Sequence, residues 1–240
     1  MKDYLLDLVE HTYDLGCIDL IKITGTDKET TVLGIAEDRA VVVEGKFNNP
    51  VADFIGTFGM PNLDKLKIIL NLQEYKENEV ISVQRKSSGE PEAITFTNST
   101  GDFKNNYRFM VSAIVGDKLK NVTFKEPTWH VEFEPTVAGI QRLKWQAQAN
   151  ADEKLFQART DKNDLKFYFG DHSTHAGEFV FHHGITGTLK RSWAWPVKQV
   201  IAIMDLTGDK TMRISDDGAA AITVNSGLAT YRYILPAQTK

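Results

Sequence analysis

Apolar and polar residues alternate along most of the chain with the period of two that marks half-buried β-strands. The alternation predicts strands over Ile18–Thr24, Thr30–Ala36, Ala40–Phe47, Lys67–Gln73, Val80–Arg85, Ala93–Thr97 and Tyr107–Ala113. A second series covers Trp129–Phe133, Lys154–Arg159, Asp164–Phe169, Glu178–His182, Lys210–Ile214, Ala220–Val224 and Leu228–Leu235. Turn residues separate them, as in Gly25-Thr26-Asp27, Ser87-Ser88-Gly89, Asp161-Lys162-Asn163 and Asn225-Ser226-Gly227. These side chains tolerate left-handed backbone or bond to it locally.

Four windows carry a helical period instead. Asp3–Leu15 places Leu5, Leu8, Val9 and Thr12 on one side and Asp3, Asp7, Glu10 and Asp14 on the other. Asn49-Pro50 predicts a helix start, with Val51, Phe54, Ile55 and Phe58 inward and a stop at Gly59. A third helix opens at Pro135 and turns Val137, Ile140, Leu143 and Ala147 to the core. The fourth begins near Trp195-Pro196, with Val197, Val200, Ile201 and Met204 on its apolar side. Each half thus reads helix, about three strands, helix, then three or four strands. The halves are offset by roughly 130–145 residues, an internal structural repeat. The expected organisation is a domain over 1–115, a connector over 116–127 and a second domain over 128–240, in an α+β fold with two helices packed on antiparallel sheets in each half.

Composition narrows the class. The 240 residues are 42% hydrophobic and 25% charged, the balance of a soluble globular protein. No run approaches the ~18 apolar residues of a membrane span, and Met1-Lys2-Asp3-Tyr4 does not open a signal peptide, so a cytoplasmic protein is expected. Two Asn-x-Ser/Thr patterns, at Asn98 and Asn121, carry no weight in that compartment. The single cysteine, Cys17, cannot form an internal disulfide. The net charge of −4 argues against simple tight adsorption to nucleic acid, so the placement of the cations decides the question.

The third helix is the informative one. Away from its apolar stripe it shows Gln141, Arg142, Lys144, Trp145 and Gln148, with no acid between Pro135 and Asn150. The fourth shows Lys198 and Gln199 and follows Lys190-Arg191; Lys46 is the best cation of the first half. Long cationic and amide side chains on helices suit sequence-independent phosphate contact. The acidic face of the first helix opposes it. The chain ends on the apolar strand Leu228–Pro236; with Val115 and Leu119, its residues Tyr233, Ile234, Leu235 and Pro236 form a candidate pocket for a short hydrophobic peptide.

Catalytic signatures are missing. There is no Gly-x-Ser-x-Gly, phosphate loop or His-Glu-x-x-His. Asp171-His172-Ser173-Thr174-His175 and Phe181-His182-His183 raise a metal-hydrolase reading, but adjacent strand histidines face opposite ways and the spacing fits no zinc site. The expectation is a protein with no catalytic residues, metal or cofactor. A β-rich viral assembly protein is the main alternative; it leaves the cationic helices unexplained.

The doubled helix–strand order, the mid-chain connector, Asn49-Pro50-Val51-Ala52-Asp53-Phe54-Ile55-Gly56, Trp195-Pro196-Val197-Lys198-Gln199-Val200-Ile201 and the closing Tyr-x-Tyr-Ile-Leu-Pro strand together resemble DNA polymerase sliding clamps. The two-domain length resembles the clamps of large tailed phages. The resemblance implies a non-catalytic processivity factor: a head-to-tail homotrimer joined through edge strands, encircling duplex DNA with its helices inward. It also implies an ATP-dependent clamp loader, a replicative DNA polymerase docked by a peptide, late-transcription factors as further partners, and the host cytoplasm as location. DNA contact then falls to Lys46, Arg142, Lys144, Gln148, Lys190, Arg191 and Lys198.

Overall fold

The computed structural model describes residues 1–120, 124–171 and 175–238. The chain separates into two compact units, one of Met1–Thr123 with Asn225–Tyr231, the other of Phe124–Val224 with Arg232–Lys240. The final strand therefore belongs to both, changing allegiance after Tyr231.

The first unit runs α1 (Lys2–His11), β1 (Leu20–Gly25), β2 (Thr30–Ile35), β3 (Val42–Phe47), β4 (Gly56–Pro61), α2 (Leu63–Leu70), β5 (Val80–Arg85), β6 (Pro91–Thr97), β7 (Lys104–Arg108), the short β8 (Met110–Val111) and α3 (Ser112–Lys118). Its first four strands pair antiparallel in the order β4-β1-β2-β3, with β8 beyond β4; β5-β6-β7 form a second sheet. The predicted alternation is realised: Ile21 and Ile23 of β1 are buried while Leu20, Lys22 and Thr24 are half-exposed.

The second unit runs β9 (Val131–Phe133), α4 (Val137–Ala149), β10 (Leu155–Asp161), β11 (Asp164–Gly170), β12 (Ala176–His183), β13 (Ala194–Pro196), α5 (Val197–Asp205), β14 (Asp209–Ser215), β15 (Ala219–Asn225) and β16 (Ala229–Pro236). Here the order is β13-β10-β11-β12, again antiparallel. Both units thus read helix, four strands in one spatial order, helix, three strands.

Aromatic side chains fill the second core. Phe167 of β11 is fully buried, stacks on Phe181 at 4.3 Å between ring centres and lies 4.4 Å from Phe156. In the first unit, α1 is held by a buried polar contact: the Tyr231 hydroxyl donates to the Asp7 carboxylate at 2.7 Å, and the His11 ring stacks on Tyr231 at 4.6 Å. Tyr231 also explains Gly45, where a Cβ would stand 2.9 Å from the tyrosine ring.

Three sequence expectations change. Lys67–Gln73 is not a strand; Leu63, Leu66, Ile69 and Leu70 line the buried side of α2, which rests on α1. The helix expected after Asn49-Pro50 is a single turn, Ala52–Phe54, followed by β4. The open edge of β1 takes that segment as a strand, with Ile23 opposite Phe58, and Gly56 at φ 118° makes the entry. Finally, Ser112–Lys118 at the end of the first domain is helical, and the expected connector begins inside it. Residues 121–123 of that connector lie outside the described residues.

Candidate nucleic-acid interface

Helix α4 is started by Thr136, whose hydroxyl accepts from the Gly139 N–H at 3.0 Å, a cap contributing about 1 kcal/mol. Gly139 lets the helix lie against β12, since a Cβ there would run into the Phe181 carbonyl. Two further bonds fix its rotation: Arg142 donates to the Val180 carbonyl at 3.3 Å and Gln146 to that of Glu178 at 3.5 Å. Leu143 is buried. Gln141, Arg142, Trp145 and Gln148 are left exposed, and so is Val137, at the first turn, which the sequence pattern had turned inward.

α5 packs beside α4, and the Lys144 ammonium is paired with Asp205 at the end of α5. Lys198 is exposed on the first turn of α5, next to the half-buried Gln199. The pair of helices therefore gathers Arg142, Lys144, Gln148 and Lys198, with Asp205 as the one acid on either helix. Long cationic and amide side chains on a regular helix are suited to phosphate contact that reads no bases.

Lys190 and Arg191 lie elsewhere. Their backbone N–H groups are held by the Asp216 carboxylate, at 3.0 Å and 3.2 Å, against the turn between β14 and β15. Lys46, in the other unit, projects from β3 and binds Glu29 at 2.8 Å, which holds the Glu29 carboxyl below its ordinary value.

The outer face of α1 is less acidic than its sequence implied. Asp7 is buried on Tyr231, and Asp14 is neutralised by Lys67 of α2 at 2.7 Å; Asp3 remains exposed. His11 is buried, and Lys2 pairs with Glu79 at 3.1 Å. Lys65 and Lys67 are helix-borne cations that the strand assignment of α2 hid. The spacing of Leu63, Leu66, Ile69 and Leu70 was the signal for them.

Of the six candidate pocket residues, Val115, Leu119, Tyr233, Ile234 and Leu235 are buried, so a surface-bound peptide cannot touch their side chains. Pro236 is exposed and lines a cavity of about 540 Å³ with Phe124, Pro127, Thr128, Gly218 and Ala219. One wall of this cavity is clasped. Glu126 is ion-paired with Arg232 and accepts from the Trp129 indole N–H at 2.6 Å, while the Arg232 guanidinium lies over the rings of Phe124 and Trp129 at 5.3 and 6.0 Å. The bond from Arg232, then that from Trp129, holds the Glu126 carboxyl below its ordinary value of 4.5. A lowered carboxyl favours the clasp above that value and loses it as the pH falls beneath. Trp129 fluorescence, read as the difference from Trp129→Phe, is expected to stay constant as the pH falls from neutrality to the ordinary carboxyl value of 4.5 and to change only below it. In Glu126→Ala the acid step is absent.

Among the described residues the histidines do not converge: His182 packs against Phe133 at 4.9 Å and His183 binds Asp164 at 2.9 Å. His172 lies outside the described residues. Among the described residues no three His, Cys, Asp or Glu side chains form a metal-holding group, and no helix is long and apolar enough to cross a membrane.

No protein-family model and no curated protein matches the sequence. Among solved structures the chain is similar to one from the complex described as the C-terminal region of FEN-1 bound to A. fulgidus PCNA, with a TM-score of 0.71 over 98% of this chain and 96% of that one, at 11% identity. The duplicated path of helices and strands is therefore the PCNA-type clamp fold, α+β, with two similar domains that repeat a helix pair, α1 with α2 and α4 with α5, on antiparallel sheets, α3 being an extra helix of the first.

Proposed function

We propose that this chain is a non-catalytic DNA polymerase sliding clamp, of the two-domain kind encoded by large tailed phages. Three copies joined head to tail make a six-domain ring around duplex DNA, and the ring tethers the replicative polymerase to its template. An ATP-dependent loader opens it, and late-transcription factors share its outer surface.

The observation that carries this reading is an unequal treatment of equivalent edges. By the repeat, β3 corresponds to β12 and β7 to β16. Within the first unit the end of β3 is covered: the Asn48 N–H is bonded to the Leu228 carbonyl at 2.9 Å and the Asn48 amide to that of Gly227 at 2.8 Å. Their counterparts β12 and β7 each end a sheet. Unpaired strand edges invite another chain, and a β12-to-β7 contact between copies pairs both. Exposed Lys104 and Arg108 on β7 and exposed Glu178 on β12 suit each other in charge. Such a contact is heterologous and closes when the rotation per copy fits.

Topological linkage requires little affinity per phosphate, which agrees with a chain of net charge −4. Arg142, Lys144, Gln148 and Lys198 face the duplex, and Lys46 from the first domain and Lys190 and Arg191 from the second contact it as well. The partner peptide occupies the cavity beside Pro236 and Phe124, above the buried Tyr233, Ile234 and Leu235. The neighbour whose PCNA is bound to the C-terminal region of FEN-1 is the precedent for a clamp holding a partner segment. Tethering then raises the local polymerase concentration without a new catalytic group.

Native mass spectrometry over a dilution series tests the assembly. The expected species has three times the 27.0 kDa chain mass. A single-chain species at every concentration, or an open-ended polymer, removes the ring.

A further inference from the structure

Trp145 is 60% exposed on α4. It lies between Gln141 and Gln148, one turn either way, with Arg142 three residues before it, so these side chains border the indole. No carboxylate occurs from Val137 to Ala149. The other large exposed apolar side chain of the helix, Val137, is two turns distant, so the indole stands apart from it on the helix. An aromatic face bordered by amides and a cation, on an acid-free helix, has the composition of a stacking platform for unpaired bases. Paired bases offer it nothing, because their faces are already stacked.

We propose that Trp145 stacks on unpaired nucleobases, so that α4 distinguishes single-stranded DNA, such as template beyond a primer end, from duplex. The inference rests on the reading of α4 as a DNA-facing helix and adds a second ligand to it. A ring sliding on duplex would meet no stacking partner until it reached exposed template, where the indole would slow it.

The test is intrinsic fluorescence of the full chain titrated with oligo(dT) and with blunt duplex of equal length. Oligo(dT) is expected to quench emission and duplex to leave it nearly unchanged. Trp145→Phe should abolish the quench although Trp129, Trp193 and Trp195 remain. Trp145→Ala should weaken oligo(dT) binding about 10-fold, with its assembly mass and its retention on end-capped duplex unaltered. A quench that survives in Trp145→Phe, or one equally strong with duplex, overturns the proposal. So does a fall in assembly mass in Trp145→Ala, which would assign the indole to a contact between copies. Wild-type retention on end-capped duplex reports on encirclement separately: its failure with the oligo(dT) quench intact sinks the ring and supports the stacking.

Discussion

Replacing Phe167 with alanine is expected to destabilise the second domain by about 3–5 kcal/mol, the cost of deleting a large buried aromatic and leaving a cavity. Its ring has no exposed surface, stacks on Phe181, packs on Phe156 and meets Phe179 edge-on at 5.8 Å. Three strands, β10, β11 and β12, lose a shared contact. The seat of α4 goes with them, because that helix rests on β12 through the Phe181 and Val180 carbonyls. In calorimetry the second domain should melt lower by on the order of 10–20 °C. A shift of a degree or two would mean that the aromatic cluster is not the core holding the helix pair.

The joint replacement of Arg142, Lys144 and Lys198 by alanine should have the largest functional effect. Each phosphate neutralised contributes about 0.9 to the slope of log affinity against log salt, so losing all three should lower that slope by about 2–3 on duplex. The three are not equal. Lys198 is exposed on its helix, whereas Lys144 is already paired with Asp205 and Arg142 donates to a backbone carbonyl. Lys198→Ala alone should therefore account for nearly a full unit, and Lys144→Ala for less. Processive synthesis on primed templates should shorten in the triple variant while the assembly mass stays that of the wild type. An unchanged slope would exclude this helix pair from contact with DNA.

How much of this was readable in the sequence depends on the range of the interaction concerned. Alternation of side chains is local, and it marked the half-buried strands of both repeats. It erred where two local patterns competed. Lys67-Ile68-Ile69-Leu70 looks like a strand from its branched residues, yet Leu63, Leu66, Ile69 and Leu70 give α2 a buried side that α1 covers. Asn49-Pro50 looks like a helix start, but the unpaired edge of β1 draws Gly56–Pro61 into a sheet. Long-range pairing was invisible. Asp7 seems an outward acid until Tyr231, 224 residues away, donates to it. The cationic helices of the second half, by contrast, were legible, because Pro135 and the acid-free run after it announce both the helix and its charge, although the cap itself is Thr136. The apolar closing strand was legible too, but which of its residues are exposed is decided by burial, which left Pro236 exposed and Leu235 covered.

Linear duplex tethered to a bead at one end puts encirclement to the test. Protein is allowed to enter over the free end, that end is capped with streptavidin, and the beads are washed in high salt. Rings should survive the wash, because salt screens phosphate contacts but cannot undo threading, and they should leave as soon as a restriction cut reopens the end. Protein that washes off capped DNA, or that stays bound after the cut, would contradict a chain acting by surrounding the duplex.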